Sequence, residues 1–191
     1  MVVNEFKMNI EEKKELASTS TSSETLEKLA NDENKDVRWN VAENENTSVE
    51  TLEKLSNDED KSVRRGVACN ENTSPEALDK LANDKDKYVR CNVAENENTS
   101  VETLDKLADD EDKSVRCNVA YNKNTAVETL DKLADDEECW VFREVYINPK
   151  TSKETLLKLE KMKEICLKCS FNNKNYKPIN CPYKFEHEVI E

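Results

Sequence analysis

The residues with the most chemical character lie near the C-terminus: Cys166 and Cys169, one helical turn apart, followed by Cys181 and His187. Thiolates and an imidazole are soft to borderline donors. The four together suit zinc, and the three thiolates suit a share in an iron–sulfur site. Against a metal, Cys169 falls in the same repeat phase as Cys91 and Cys117, the gap to Cys181 is long, and no second Cys-x-x-Cys follows. A metal here would staple the tail 174–191 rather than perform catalysis. Cys91 and Cys117 fall on neighbouring helices that pack about 8–10 Å apart, too far for a disulfide, and read as small spare residues. His187 is the only histidine, and one glycine leaves no phosphate-cradling loop. Carboxylates are abundant but sit in turns, where charge runs mean solvation, and no cleft that would shift a pKa can be pointed to. The expectation is no enzyme and no cofactor beyond that zinc or iron–sulfur reading.

A second set of residues suits recognition. Trp39, Arg65, Cys91, Cys117 and Arg143 share one repeat phase, and Asn40, Gly66, Asn92, Asn118 and Glu144 share the next. Trp and Arg dominate binding hot spots, so this strip is expected to face a partner. The competing expectation is that Trp39 merely packs under an N-terminal cap. Two further columns, Asp32, Asp58, Asp84, Asp110 and Asp136 and then Arg38, Arg64, Arg90 and Arg116, allow an anion-binding ladder or pairing between units. Pairing is favoured, because the guanidinium fork matches a carboxylate.

These residues are positioned by an internal repeat. Asn46-Thr47-Ser48 returns at Asn72 and at Asn98, a period of 26 residues that also carries Leu52 to Leu78, Leu104 and Leu130. Six copies fit between residues 18 and 173. Each reads as two helices of about ten residues. The first opens at Thr-Ser with Glu in its first turn, and Pro75 sits in that turn in its copy. Leu52, Leu55 and Ser56 then share a face, with a Glu50–Lys54 pair outside. The second helix buries Val63, Val67 and Ala68 and ends at Asn70, a residue that tolerates the left-handed conformation. Such units bury their apolar faces only by stacking, so a thin seam replaces a globular core. The sixth copy is degenerate, with Leu167, Lys168 and Phe171 at seam positions. Residues 1–17, with Phe6, Ile10 and Leu16, read as a helical cap at the other end.

The net charge of −13 and the absence of a basic, aromatic-interleaved patch argue against direct nucleic-acid binding and against anionic membranes. No apolar run reaches membrane-spanning length. The charged stretch from Met1 to Leu16 has no signal-peptide core, and seven cysteines make an odd count. Together these lead to the expectation of a cytoplasmic protein with reduced thiols.

The unit Leu104-x-x-Leu107-Ala108, then Asp110, then Val115-Arg116-x-x-Val119-Ala120-x-Asn122 resembles the leucine-rich repeat variant family. It departs from that pattern in using Asn, Glu and Lys where the family has frequent prolines, and in Phe142 replacing the arginine. The resemblance implies an all-α, right-handed α-solenoid whose second helix is partly 3₁₀. It also allows an attached cysteine-rich iron–sulfur segment. The expected function is a scaffold binding a protein or peptide along the second helices. The rival expectations are a metal- or redox-dependent regulator using the C-terminal cysteines and an acidic mimic of nucleic acid.

Overall fold

The computed structural model describes residues 8–161. Its named helices are α1 (Ile10–Thr19), α2 (Ser23–Leu29), α3 (Lys35–Glu43), α4 (Val49–Leu55), α5 (Lys61–Cys69), α6 (Pro75–Leu81), α7 (Lys87–Glu95), α8 (Val101–Leu107), α9 (Lys113–Tyr121), α10 (Val127–Leu133) and α11 (Cys139–Ile147). Residues 153–161 are helical again. The described residues contain no strand. Seven-residue and nine-residue helices alternate from α2 onward, shorter than the ten or so residues expected. The long helices stack directly on one another, α1 on α3, α3 on α5 and so to α11, while each short helix packs between the long helices before and after it. The result is an α-solenoid. Both helix types are α, so the partly 3₁₀ second helix implied by the family resemblance does not occur among the described residues.

The leucine and valine columns form the seam. Leu26, Leu52, Leu78, Leu104 and Leu130 are fully buried, as are Val37, Val63, Val89, Val115 and Val141. Neighbouring repeats are then sewn together by polar ladders that repeat with the same period. Each Arg reaches forward to the next repeat's Asp: Nε of Arg38, Arg64, Arg90 and Arg116 lies 2.5–2.6 Å from Asp58, Asp84, Asp110 and Asp136. Nη2 completes the fork onto the other carboxylate oxygen, and Nη1 donates to the carbonyl of the Asp in its own turn. The arginines are therefore consumed internally. Lys13 of α1 makes the first rung, 2.6 Å from Asp32, and Phe142, 3% exposed, ends the column with an apolar residue.

The asparagines that end the long helices do not adopt the left-handed conformation: Asn44 has φ −71 and ψ 126, and no described residue has positive φ. Their task is different. The side-chain amide of Asn70 donates to the Ala42 and Asn44 carbonyls of the preceding repeat, at 2.8 and 3.0 Å, and its Oδ1 accepts the Asn72 N–H at 2.9 Å. Asn96, Asn122 and Asn148 repeat the arrangement. The Ala42 carbonyl, left without an intrahelical partner at the C-terminus of α3, is thus satisfied across the repeat boundary, and the Asn44 carbonyl, which already accepts the Thr47 N–H, gains a second donor. In the Thr-Ser pair the serine is the N-cap, Ser48 Oγ accepting from the Thr51 N–H, while buried Thr47 donates to the Val41 carbonyl at 2.6 Å. Lys54 turns away from Glu50 to the Asn31 side chain one repeat back. The expected pair within one helix is seen in the first copy, Lys28 to Glu24 at 3.0 Å. No buried side-chain nitrogen or oxygen among the described residues lacks a partner.

Candidate partner-binding face

With one side of each long helix in the seam, the opposite side is an open face. In α3 it comprises Asp36, Trp39, Asn40 and Glu43, spaced i, i+3, i+4 and i+7. Later helices present the corresponding residues: Ser62, Arg65, Gly66 and Cys69; Tyr88, Cys91, Asn92 and Glu95; Ser114, Cys117, Asn118 and Tyr121; Trp140, Arg143, Glu144 and Ile147. The strip read from the sequence is the middle of this face, and its members differ in access. Trp39, Arg65 and Arg143 are exposed, Cys117, Asn40, Asn92 and Asn118 are half-buried, and Cys91 is buried at 9%. Asn118 donates to the Cys91 carbonyl at 3.1 Å and Asn92 to the Cys69 Sγ, whereas Asn40 caps back onto the Asp36 carbonyl. Asn92 and Asn118 therefore tie repeats together as well as lining the surface.

Trp39 leans forward onto the second repeat. A Cβ on Gly66 would lie 3.3 Å from its Cδ1 and 3.0 Å from the Ala42 Cβ. That close approach accounts for the only glycine in the chain, at a position where other repeats carry Asn or Glu.

Sequence reading missed the column one helical turn before the strip. Tyr88 and Trp140 are 51% and 55% exposed. Each lies under a strip arginine: the Arg65 guanidinium is 5.3 Å from the Tyr88 ring centre and that of Arg143 is 5.5 Å from Trp140. Tyr121 and Ile147, one turn after the strip, are more exposed still. The signal was available at a spacing of minus three, but the same column holds Asp36, Ser62 and Ser114, which hid it. A large aromatic left in water and stacked by a cation offers apolar area together with a polar rim.

The thiols on this face are poor nucleophiles and metal ligands. Burial, and then the nearby carboxylates of Asp112 and Asp110, push Cys91 up to about 11. Burial and Glu144 push Cys117 up to about 11. Burial, Glu43 and Glu95 raise Cys69. All three are free and protonated at neutral pH. Among the described residues no group of three or more His, Cys, Asp or Glu side chains is placed to hold a metal. Cys166, Cys169, Cys181 and His187 lie outside the described residues. No described helix is long and apolar enough to cross a membrane.

The fold and its face define a tandem-repeat α-solenoid. Within it, residues 89–112 match the family model described as "Leucine rich repeat variant". A solved structure described as a leucine-rich repeat variant with a novel repetitive protein structural motif is 27% identical, with a TM-score of 0.59, over 76% of this chain. The match spans 58% of that structure's own chain. None of the curated proteins matches.

Proposed function

We propose that this chain is a non-enzymatic interaction scaffold, cytoplasmic and with reduced thiols, that holds a protein or peptide partner against the open face of its long helices. The observation that carries this is one of contrast. Everywhere else the repeating Arg, Asp, Asn and Thr side chains are spent on contacts between repeats. The open face keeps Trp39, Tyr88, Tyr121, Trp140, Arg65 and Arg143 in solvent. Aromatic and arginine side chains held rigidly on helices are the residue types that anchor interfaces, and stacking lays them along one continuous surface.

The test selects binders from a random peptide library on the whole chain and measures their affinity for two double variants. Tyr88→Ser/Trp140→Ser alters the face, and Val49→Ser/Val101→Ser alters exposed residues of the short helices. The face variant is expected to lose about tenfold or more and the other less than about twofold. The reverse pattern would move the site to the short helices, and equal binding to all three proteins would overturn the reading.

A further inference from the structure

The open face is not uniform along the stack. Across α3, α5 and α7 it contains two hollows of about 210 and 490 Å³ that share Cys69 and Asn92 and so form one groove. The smaller is bounded by Trp39, Glu43 and Arg65, the larger by Glu71, Glu95 and Glu97. Four carboxylates thus face one guanidinium. In the next two repeats the positions equivalent to Glu95 and Glu97 hold Tyr121 and Lys123, then Ile147 and Pro149, so the acidic character belongs to the first three repeats.

The carboxylates converge. Glu43 and Glu95, from the repeats on either side, both raise the Cys69 thiol after burial has done so. Burial also raises Glu43 itself, against the opposing hydrogen bond from Trp39 and the charge of Arg65. An incoming cation would favour the charged form of Glu43. Glu97 is met by Lys123 at 2.6 Å, but no described Lys or Arg forms an ion pair with Glu71 or Glu95. The partial negative charge at the C-terminal ends of α3, α5 and α7 adds to the same field.

We infer that this groove takes a cationic segment of a partner protein in an extended, polyproline-like conformation, with Lys or Arg at every third residue. Basic side chains enter the carboxylate-lined hollows at Cys69, and an intervening apolar side chain rests on Trp39. The spacing follows from two lengths. Stacked helices lie about 8–10 Å apart, and a polyproline II chain advances about 9 Å in three residues while returning its side chains to the same side. A basic residue at every third position therefore keeps step with successive repeats.

This inference rests on the open-face reading above, and the experiment separates the two. The probe is a fluorescent twelve-residue peptide of repeated Arg-Pro-Ser. It is compared with a same-composition peptide whose arginines are clustered and with a Glu-Pro-Ser counterpart. All are titrated against the full chain and two variants of equal charge change, Glu71→Gln/Glu95→Gln in the groove and Glu76→Gln/Glu102→Gln on the short helices, each checked for unchanged thermal unfolding. The Arg-Pro-Ser peptide is expected to bind best, to weaken steeply with salt, and to lose about tenfold on the groove variant but less than about twofold on the other. Equal loss on both variants, or equal binding of the clustered peptide, would mean diffuse attraction and overturn the inference. Preference for the Glu-Pro-Ser peptide would do the same. If library-selected binders depend on Tyr88 and Trp140 while no arginine peptide binds, the inference falls and the open-face function stands.

Discussion

At the scale of single residues, the repeat-ending asparagines bear directly on stability. Asn96 is 8% exposed and donates to the carbonyls of Ala68 and Asn70 while accepting the Asn98 N–H. Asn96→Ala leaves the buried Ala68 carbonyl and the part-buried Asn98 N–H without their partners, while the Asn70 carbonyl keeps the Thr73 N–H. Leaving one buried group unsatisfied costs about 1–3 kcal/mol, so a loss of at least about 2 kcal/mol is expected in urea unfolding. Asn96→Asp should be no better at pH 7, because a carboxylate would face two carbonyl oxygens. If aspartate is tolerated, the amide is not the donor. Gly66 poses the opposite question. Gly66→Ala gains about 1 kcal/mol of helix propensity but presses on Ala42 and on the Trp39 ring. Other repeats place Asn against the equivalent alanine, so the backbone tolerates a Cβ and the indole is the part that must move. The stability change is expected to stay within about 1 kcal/mol, and Trp39 emission, read in a Trp140→Phe background, to shift to the red. Unshifted emission would show that the glycine is not there to admit the indole.

At the scale of elements, the short helices differ at their caps. Ser48, Ser74 and Ser100 each accept an N–H of the first turn, while the N-cap of α10 is Ala126, which makes no side-chain cap bond. Ala126→Ser should stabilise by about 1 kcal/mol and Ser100→Ala should cost about as much, both read from urea midpoints. A neutral Ala126→Ser would mean that this helix end is already satisfied another way. Caps of this kind are visible in sequence, as were the leucine and valine columns and the Arg–Asp pairing, because a fixed period superimposes equivalent residues and their chemistry reads off directly. Contacts that require a neighbour's backbone were not visible. Nothing in the letters says that Asn70 reaches the Ala42 carbonyl, or that Lys13, outside the repeat, completes the arginine column. The face itself was half legible: the variable strip stood out, but Tyr88 and Trp140 were hidden in a column whose other members are small or acidic.

At the scale of the whole molecule, the ladders make stability a property of junctions, and pH should act on them in a defined direction. The Lys87 hydrogen bond and the Ser114 N–H pull Asp112 down to about 2. The Ser62 N–H and Lys35 lower Asp60, and Lys61 lowers Asp86. Burial opposes the charge of Asp84, but Arg64 and the Asp86 N–H outweigh it and the carboxyl ends low. Groups lowered on folding stabilise the native state fully above the unfolded value near 3.9, and that stability is lost as pH falls through the folded values. Glu43, raised by burial, acts in the opposite sense but is one group against several. Urea midpoints should be flat between about pH 5 and about pH 8 and fall steadily toward pH 2; a flat profile to pH 3 would show that the ladders carry little energy. The central junction allows a sharper test. Arg90 forks onto Asp110, whose side chain is 7% exposed, and is itself 11% exposed. Arg90→Met strands that carboxylate, at a cost of about 3–5 kcal/mol, whereas Arg90→Met/Asp110→Asn removes the charge, keeps an acceptor for the Asp112 N–H and should recover much of the loss. Each repeat touches only its neighbours, so one weak junction divides the stack. Hydrogen exchange of Arg90→Met should therefore show α1–α7 and α8–α11 opening at different urea concentrations, where the unaltered chain opens as one. If the single variant still unfolds in one step, coupling through the leucine and valine seam exceeds the whole contribution of the arginine ladder, and the ladders set register between repeats rather than holding the stack together.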